Sequence, residues 1–174
     1  RAVRGGVGEA KTGGNYAASL SMSERASRQG YNQVLWLDAI HGRFVEEVGA
    51  MNICFVYDGH RIVTPALSGS ILPGITRAAI LELAPALGYE VEETEVDVDT
   101  TLDAIATGTI TEVFGCGTAA VIAPVDRLGY RGKDYMINNG KTGPIAVALH
   151  NALTGIQYGT RPDPYGWTLT IATE

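Results

Sequence analysis

Two apolar runs, NICFVYD (Asn52–Asp58) and RIVTP, meet across Asp58-Gly59, and no other feature constrains the fold so tightly. Asp-Gly accepts the positive φ angles of a tight turn, so the pair predicts an antiparallel hairpin. A helix signal follows at once. Leu72-Pro73-Gly74 leads into ITRAAILELAPALG, which Gly88 closes, and Pro85 should kink that helix or end it early. Tyr89–Val98 then alternates as a strand. An antiparallel pair followed by a helix and another strand breaks strict strand–helix alternation. The expectation is an α/β chain with a mixed or barrel-like sheet.

The remaining segments fill in that frame. Arg1–Gly14 reads as a glycine-rich loop, and Asn15 as the N-cap of a helix ending at Gly30. Gln33–Asp38 and Phe44–Val48 read as strands, with a turn at Gly49–Met51. Thr100–Thr107 reads as a short helix. TEVFG and AAVIAPV are strands on either side of Cys116-Gly117-Thr118; Gly143–Gly155 is a helix and Trp167–Ala172 a final strand. There are no repeats and no low-complexity segments.

With 174 residues, 45% of them hydrophobic, the chain can bury one sizeable core. The net charge of −6 and the lack of any Lys/Arg cluster argue against nucleic acid or an anionic membrane as partner. No apolar run approaches the roughly 20 residues of a membrane span, and no signal-peptide pattern opens the chain. Two cysteines, Cys54 and Cys116, make no disulfide framework, so a reducing cytoplasm is the default location. His41, His60 and His150 are scattered without ligand spacing, and no metal site is expected. The chain opens on Arg1 without Met, which suggests a piece of a longer protein.

Of three lysines, Lys133 and Lys141 lie in polar turns (RGKD, NNGKTG). Lys11 is alone in a low-charge stretch of Gly, Ala and Val. Small neighbours can desolvate an amine, lowering its pKa and freeing it as nucleophile or base; an ordinary solvated loop lysine is the plainer reading. GGVGEAKT also stands one residue from a phosphate-binding P-loop, with Ala10 in place of the last glycine. That loop needs a strand before it and an unbroken helix after it, whereas RAVR precedes and Gly13-Gly14 follow. No isolated Asp suited to magnesium ends a later strand; Asp38, which ends VLWLD, comes too soon.

Other positions carry similar pairs of readings. Pro73-Gly74 before a helix start puts the Ile75 and Thr76 N–H groups at its positive end, either a phosphate site or a simple cap. Glu46 and Glu47 face opposite ways on a strand, so one can point to solvent and the other inward to a partner; both could equally be edge charges. Thr118 beside Gly117 marks a close backbone approach to a ligand or a plain turn. Tyr16 could be helix-start packing.

Five strings in order, GGVGEAKTGGNYAASL, VLWLDA…FVEEVGAMN, LSGSILPGITR, EVFGCGTAAVIAPV and LTGIQYG…GW, resemble the branched-chain amino-acid aminotransferases. These are class IV aminotransferases, pyridoxal 5'-phosphate enzymes of fold type IV. The resemblance covers the chain from Arg1 to about Ala172. It implies the large C-terminal, cofactor-binding domain over residues 1–174, with a mixed-sheet pseudo-barrel. By the same resemblance Lys11 forms the Schiff base and shuttles the substrate's Cα proton, and Tyr16 meets the cofactor's phenolic oxygen. Glu47 pairs with the pyridine nitrogen. Leu72 packs on the ring, and Gly74, Ile75 and Thr76 hold the phosphate. Gly49, Ala50 and Met51 lie near the substrate, and Thr118 and Ala119 contact phosphate and substrate carboxylate.

The implied reaction is ping-pong transamination between Leu, Ile or Val and 2-oxoglutarate in a homodimer. An N-terminal domain would supply a phosphate-binding arginine and part of the pocket. Sibling activities, D-amino-acid aminotransferase and aminodeoxychorismate lyase, are the alternatives, as is a non-catalytic fragment. Cys116 falls in the G-x-G-T turn and is assigned no role. Ala120 and Ala123 stand where some members carry a redox C-x-x-C, so that switch is not expected.

Overall fold

The structure, a computed structural model, describes residues 1–171. Its centre is β3 (Asn52–Tyr57), which pairs antiparallel with β4 (Arg61–Pro65) across the Asp58-Gly59 turn. Asp58 and Gly59 take φ of 52° and 63°, the left-handed values that favour this dipeptide. Helix α3 (Ile75–Ala86) then crosses over, so that β5 (Glu90–Thr94) lies parallel to β4. On the other side of β3, β6 (Ile110–Gly117) and β7 (Val121–Pro124) add antiparallel strands. The sheet order is β5-β4-β3-β6-β7, mixed as expected. Two two-stranded ladders flank it: β1 (Leu35–Leu37) with β2 (Val45–Val48), and β8 (Arg127–Tyr130) with β9 (Lys133–Met136).

Alternation along the central strands builds two cores. Cys54, Val56, Ile62, Phe114 and Cys116 face α3 and α5 (Pro144–Gln157). Ile53, Phe55, Val63 and Val113 face the opposite way, onto β2, α4 (Val98–Thr107) and Leu128 of β8. Successive side chains point to opposite faces, so a strand buried on both sides reads as the continuous apolar run seen at NICFVY.

Several boundaries differ from the sequence expectation. The helix expected from Asn15 to Gly30 is two pieces, α1 (Gly13–Ala17) and α2 (Leu20–Arg28). Thr12, not Asn15, is the N-cap, its Oγ1 accepting from the Gly14 N–H at 3.3 Å. The break falls where the Ser19 hydroxyl bonds back to the Tyr16 carbonyl at 2.7 Å, a local competitor of the helical ladder. β5 stops at Thr94, because Asp97 caps α4 by accepting from the Thr100 N–H at 2.9 Å. Helix α4 therefore starts two residues earlier than expected. Pro85 lies in the last turn of α3, which ends one residue later at Ala86.

Cys116 and Gly117 belong to β6, and the turn falls on residues 118–120. The β8–β9 hairpin was not foreseen. Its turn rests on Arg131 and Gly132 at φ of 50° and 79°, so Lys133 lies in a strand, over the Tyr135 ring. No strand forms at 167–171, where Asp163 takes the Thr168 N–H at 2.7 Å and Tyr165 stacks on Trp167; Ala172 lies outside the described residues.

Candidate functional site

Strand register gathers the candidate residues at one end of the sheet. Asn52 opens β3 opposite Cys116 near the end of β6, and β4 ends at Pro65 on the same side. The turn at Gly49–Met51, the segment from Ala66 to Gly74 and the turn at 118–120 therefore emerge together, beside the N-terminus of α3. Gly49 has a φ of 56°, which the tight Val48–Met51 turn requires. Met51 packs beneath Gly115 and Gly117, where any added Cβ would meet its side chain at 2.9 and 3.3 Å.

Glu47 is the most unusual group here. Strand β2 is buried on both faces, so Glu46 and Glu47 are 6% and 3% exposed. The expectation that one of them points to solvent is therefore wrong. Glu46 accepts from the buried Ser70 hydroxyl. On the other face Glu47 forms an ion pair with Arg1 and accepts from the Leu72 N–H at 3.4 Å. Burial pushes the Glu47 carboxyl up to about 7, and the Arg1 guanidinium holds it from rising further.

Arg1 also lies 5.6 Å from the Tyr16 ring, so it bridges Tyr16 and Glu47. Its side chain is 3% exposed, and its Nε is buried without a hydrogen-bond partner. Nothing in the sequence reading singled Arg1 out. The available signal was a cation in the same low-charge loop as Lys11, able to pair with an inward glutamate.

Asn52 was missed too. Its Nδ2 donates to the Leu72 carbonyl at 2.9 Å, and a Cβ on Gly74 would lie 2.1 Å from its Oδ1. Asn52 thus seats the Leu72–Gly74 turn against the sheet. Gly74 is the N-cap of α3 and brings no side-chain cap, leaving the first N–H groups of the helix free. Thr76 is half-buried there, while Ile75 is 86% exposed. Leu72 is half-buried; Thr118, Ala119 and Ala50 are exposed.

Lys11 does not match the expectation of a poorly hydrated amine. It is exposed, and its amine makes no hydrogen bond or ion pair among the described residues. The small residues around it leave it open to solvent rather than enclosing it. Its backbone is nonetheless held. Gly8 packs so closely on Ser70 that a Cβ would lie 2.4 Å from the Ser70 carbonyl oxygen. Cys54 and Cys116 are both buried in the α3–α5 core. Hydrogen bonding to Cys54 and burial push the Cys116 thiol up, which makes it a poor nucleophile. No group of three or more His, Cys, Asp or Glu side chains is placed to hold a metal among the described residues, and none of their helices is long and apolar enough to cross a membrane.

This donor set suits an anionic aromatic group: a buried carboxylate that can meet a protonated ring nitrogen, a buried guanidinium with a free Nε, and an uncapped helix start for a phosphate. Comparison with known proteins agrees. The model of the family described as amino-transferase class IV matches residues 5–128. The chain is 54% identical over 171 residues to the "Probable branched-chain-amino-acid aminotransferase" of Staphylococcus aureus (strain N315), covering 98% of this chain and 48% of that protein. It is 51% identical, with the same coverage, to the branched-chain-amino-acid transaminase 1 of Bacillus subtilis (strain 168). It also superposes on the T.th. branched-chain amino acid aminotransferase solved with pyridoxamine 5'-phosphate, with a TM-score of 0.78 and 34% identity. That match covers 92% of this chain and 48% of the other. The chain thus spans about half the length of the relatives it matches, and it belongs to the class IV aminotransferases.

Proposed function

We propose that residues 1–174 are the cofactor-binding domain of a branched-chain amino-acid aminotransferase, which exchanges the amino group of Leu, Ile or Val with 2-oxoglutarate. The observation that carries the reading is Glu47, a buried carboxylate that accepts from the Leu72 N–H and that Arg1 links to Tyr16 at the mouth of the sheet. When bound, pyridoxal 5'-phosphate supplies an aldehyde for capture of amines and a ring that withdraws electrons.

Glu47 holds the proton at the ring nitrogen, and Tyr16 meets the phenolic oxygen. Leu72 packs on the ring. Gly74, Ile75 and Thr76, at the free N-terminus of α3, would hold the phosphate together with Thr118. Gly49, Ala50, Met51 and Ala119 line the substrate's approach. Lys11 is the covalent anchor, and its Nζ moves the proton at the substrate Cα. Its exposure in this chain is met, in this reading, by an N-terminal domain of the longer protein that covers the face and adds a phosphate-binding arginine. The enzyme acts as a homodimer in the cytoplasm.

The test uses the full-length protein. Lys11→Ala should lower turnover of Leu, Ile and Val with 2-oxoglutarate by roughly a thousandfold or more and abolish the near-visible absorbance of the lysine-bound cofactor. Retained turnover would remove Lys11 from the reaction, and activity confined to D-amino acids would favour the sibling enzymes.

A further inference from the structure

We infer that Asn15 is a positioning residue for Lys11, an inference that rests on the reading of Lys11 as the covalent anchor. Asn15 lies inside α1, yet its side chain does not serve the helix. It is 5% exposed, and its Nδ2 donates both hydrogens backwards, to the Val7 carbonyl at 2.8 Å and the Ala10 carbonyl at 3.0 Å. One amide group thus closes the segment that ends at Lys11. Few other ties hold that segment. The Ala10 N–H bonds the Val7 carbonyl at 3.0 Å, the Thr12 N–H bonds the Ala10 carbonyl at 2.9 Å, and Gly8 rests on the Ser70 backbone.

The Lys11 amine makes no hydrogen bond or ion pair among the described residues, so its direction follows from the way the backbone presents it. Asn15 fixes the carbonyl immediately before Lys11, and Gly8 presses the other end of the segment against the Ser68–Leu72 loop. That loop holds Glu46 through Ser70 and Glu47 through Leu72. Asn15 therefore sets the lysine loop relative to the carboxylate assigned to the ring nitrogen. Only a side chain with two N–H donors of this length does so. Asp would set a carboxylate against two carbonyl oxygens, and Ala would leave each carbonyl only its single backbone donor, the Ala10 or the Thr12 N–H.

Asn15→Asp in the full-length protein tests this, with Asp97→Ala, which removes the α4 cap elsewhere, as a control for general destabilisation. The first readout is amide exchange of residues 8–12 in the cofactor-free protein. The second is the pH midpoint of the lysine–cofactor absorbance together with the fraction of Lys11 trapped by borohydride. Asn15→Asp should speed exchange by about tenfold or more, shift the midpoint and lower the trapped fraction, while Asp97→Ala leaves all three unchanged. If Asn15→Asp does not fold, Gly8→Ala displaces the same loop from its other side and should give the same three changes. Unchanged exchange and midpoint in the Asn15 or Gly8 variant would overturn the inference, as would the same shifts in Asp97→Ala. Absence of trapping at Lys11 in the unaltered protein would instead refute the lysine assignment, and this inference with it.

Discussion

Glu47 and Arg1 show how one pair of residues sets the chemistry of a site. A carboxylate on a strand buried on both faces is costly unless a cation meets it, and Arg1 does so from the opening loop. Because burial raises the folded-state pKa of Glu47 from 4.5 to about 7, the folded protein holds this proton more tightly than the unfolded chain. Stability from this group is complete below about pH 4.5 and is lost as pH rises through about 7, by an amount on the order of 3 kcal/mol. In the cofactor-free protein, Glu47→Gln should therefore flatten the pH dependence of Tm over that window relative to the unaltered chain. A parallel shift of both curves would contradict it. Arg1→Ala should cost about 3 kcal/mol at pH 8, where the carboxylate is left unpaired, and less at pH 5, where it takes up a proton. Urea unfolding at the two pH values measures both.

At the scale of elements, the ends of helices carry much of the order. The buried Glu112 of β6 accepts the Ile145 and Ala146 N–H groups at 2.9 Å each, so a strand carboxylate caps α5. Gly143 allows this approach, since a Cβ there would lie 1.9 Å from the Glu112 carboxyl carbon. Glu112→Ala should destabilise the fold by roughly 2–4 kcal/mol, through two orphaned donors and the lost charge at the helix start. Gly143→Ala should cost a similar amount by expelling the same carboxylate. The double variant should be clearly less destabilised than the sum, and additivity in a double-mutant cycle would show that the two do not share one interaction. This cap was not legible in the sequence, because Glu112 and Ile145 lie 33 residues apart. Asp97 was equally hidden: an Asp before Val-Asp-Thr is a cap signal, but the alternation of Tyr89–Val98 carried the strand reading past it.

At the scale of the whole molecule, the sheet lies between two separate clusters of buried apolar side chains among the described residues. Phe55 and Phe114 are both fully buried, on adjacent strands but in different clusters. Each Phe→Ala change should cost about 3–5 kcal/mol, and the pair should be close to additive. A large coupling energy in chemical denaturation would mean that the sheet transmits strain from one core to the other.

What the sequence determined alone was local chemistry and pattern. The Asp58-Gly59 hairpin, the apolar run of β3 and the glycine stops at Gly30 and Gly88 follow from backbone sterics and side-chain period, which act over a few residues; the site motifs were legible only through their resemblance to a family. Tertiary structure decided what depends on who lies opposite. It buried Glu46 along with Glu47 and brought Arg1 between Tyr16 and Glu47. It turned Asn15 back onto its own loop rather than onto a helix end. Left exposed, Lys11 is the sharpest case: composition describes a residue's neighbours along the chain, but hydration is set by what packs over it in space.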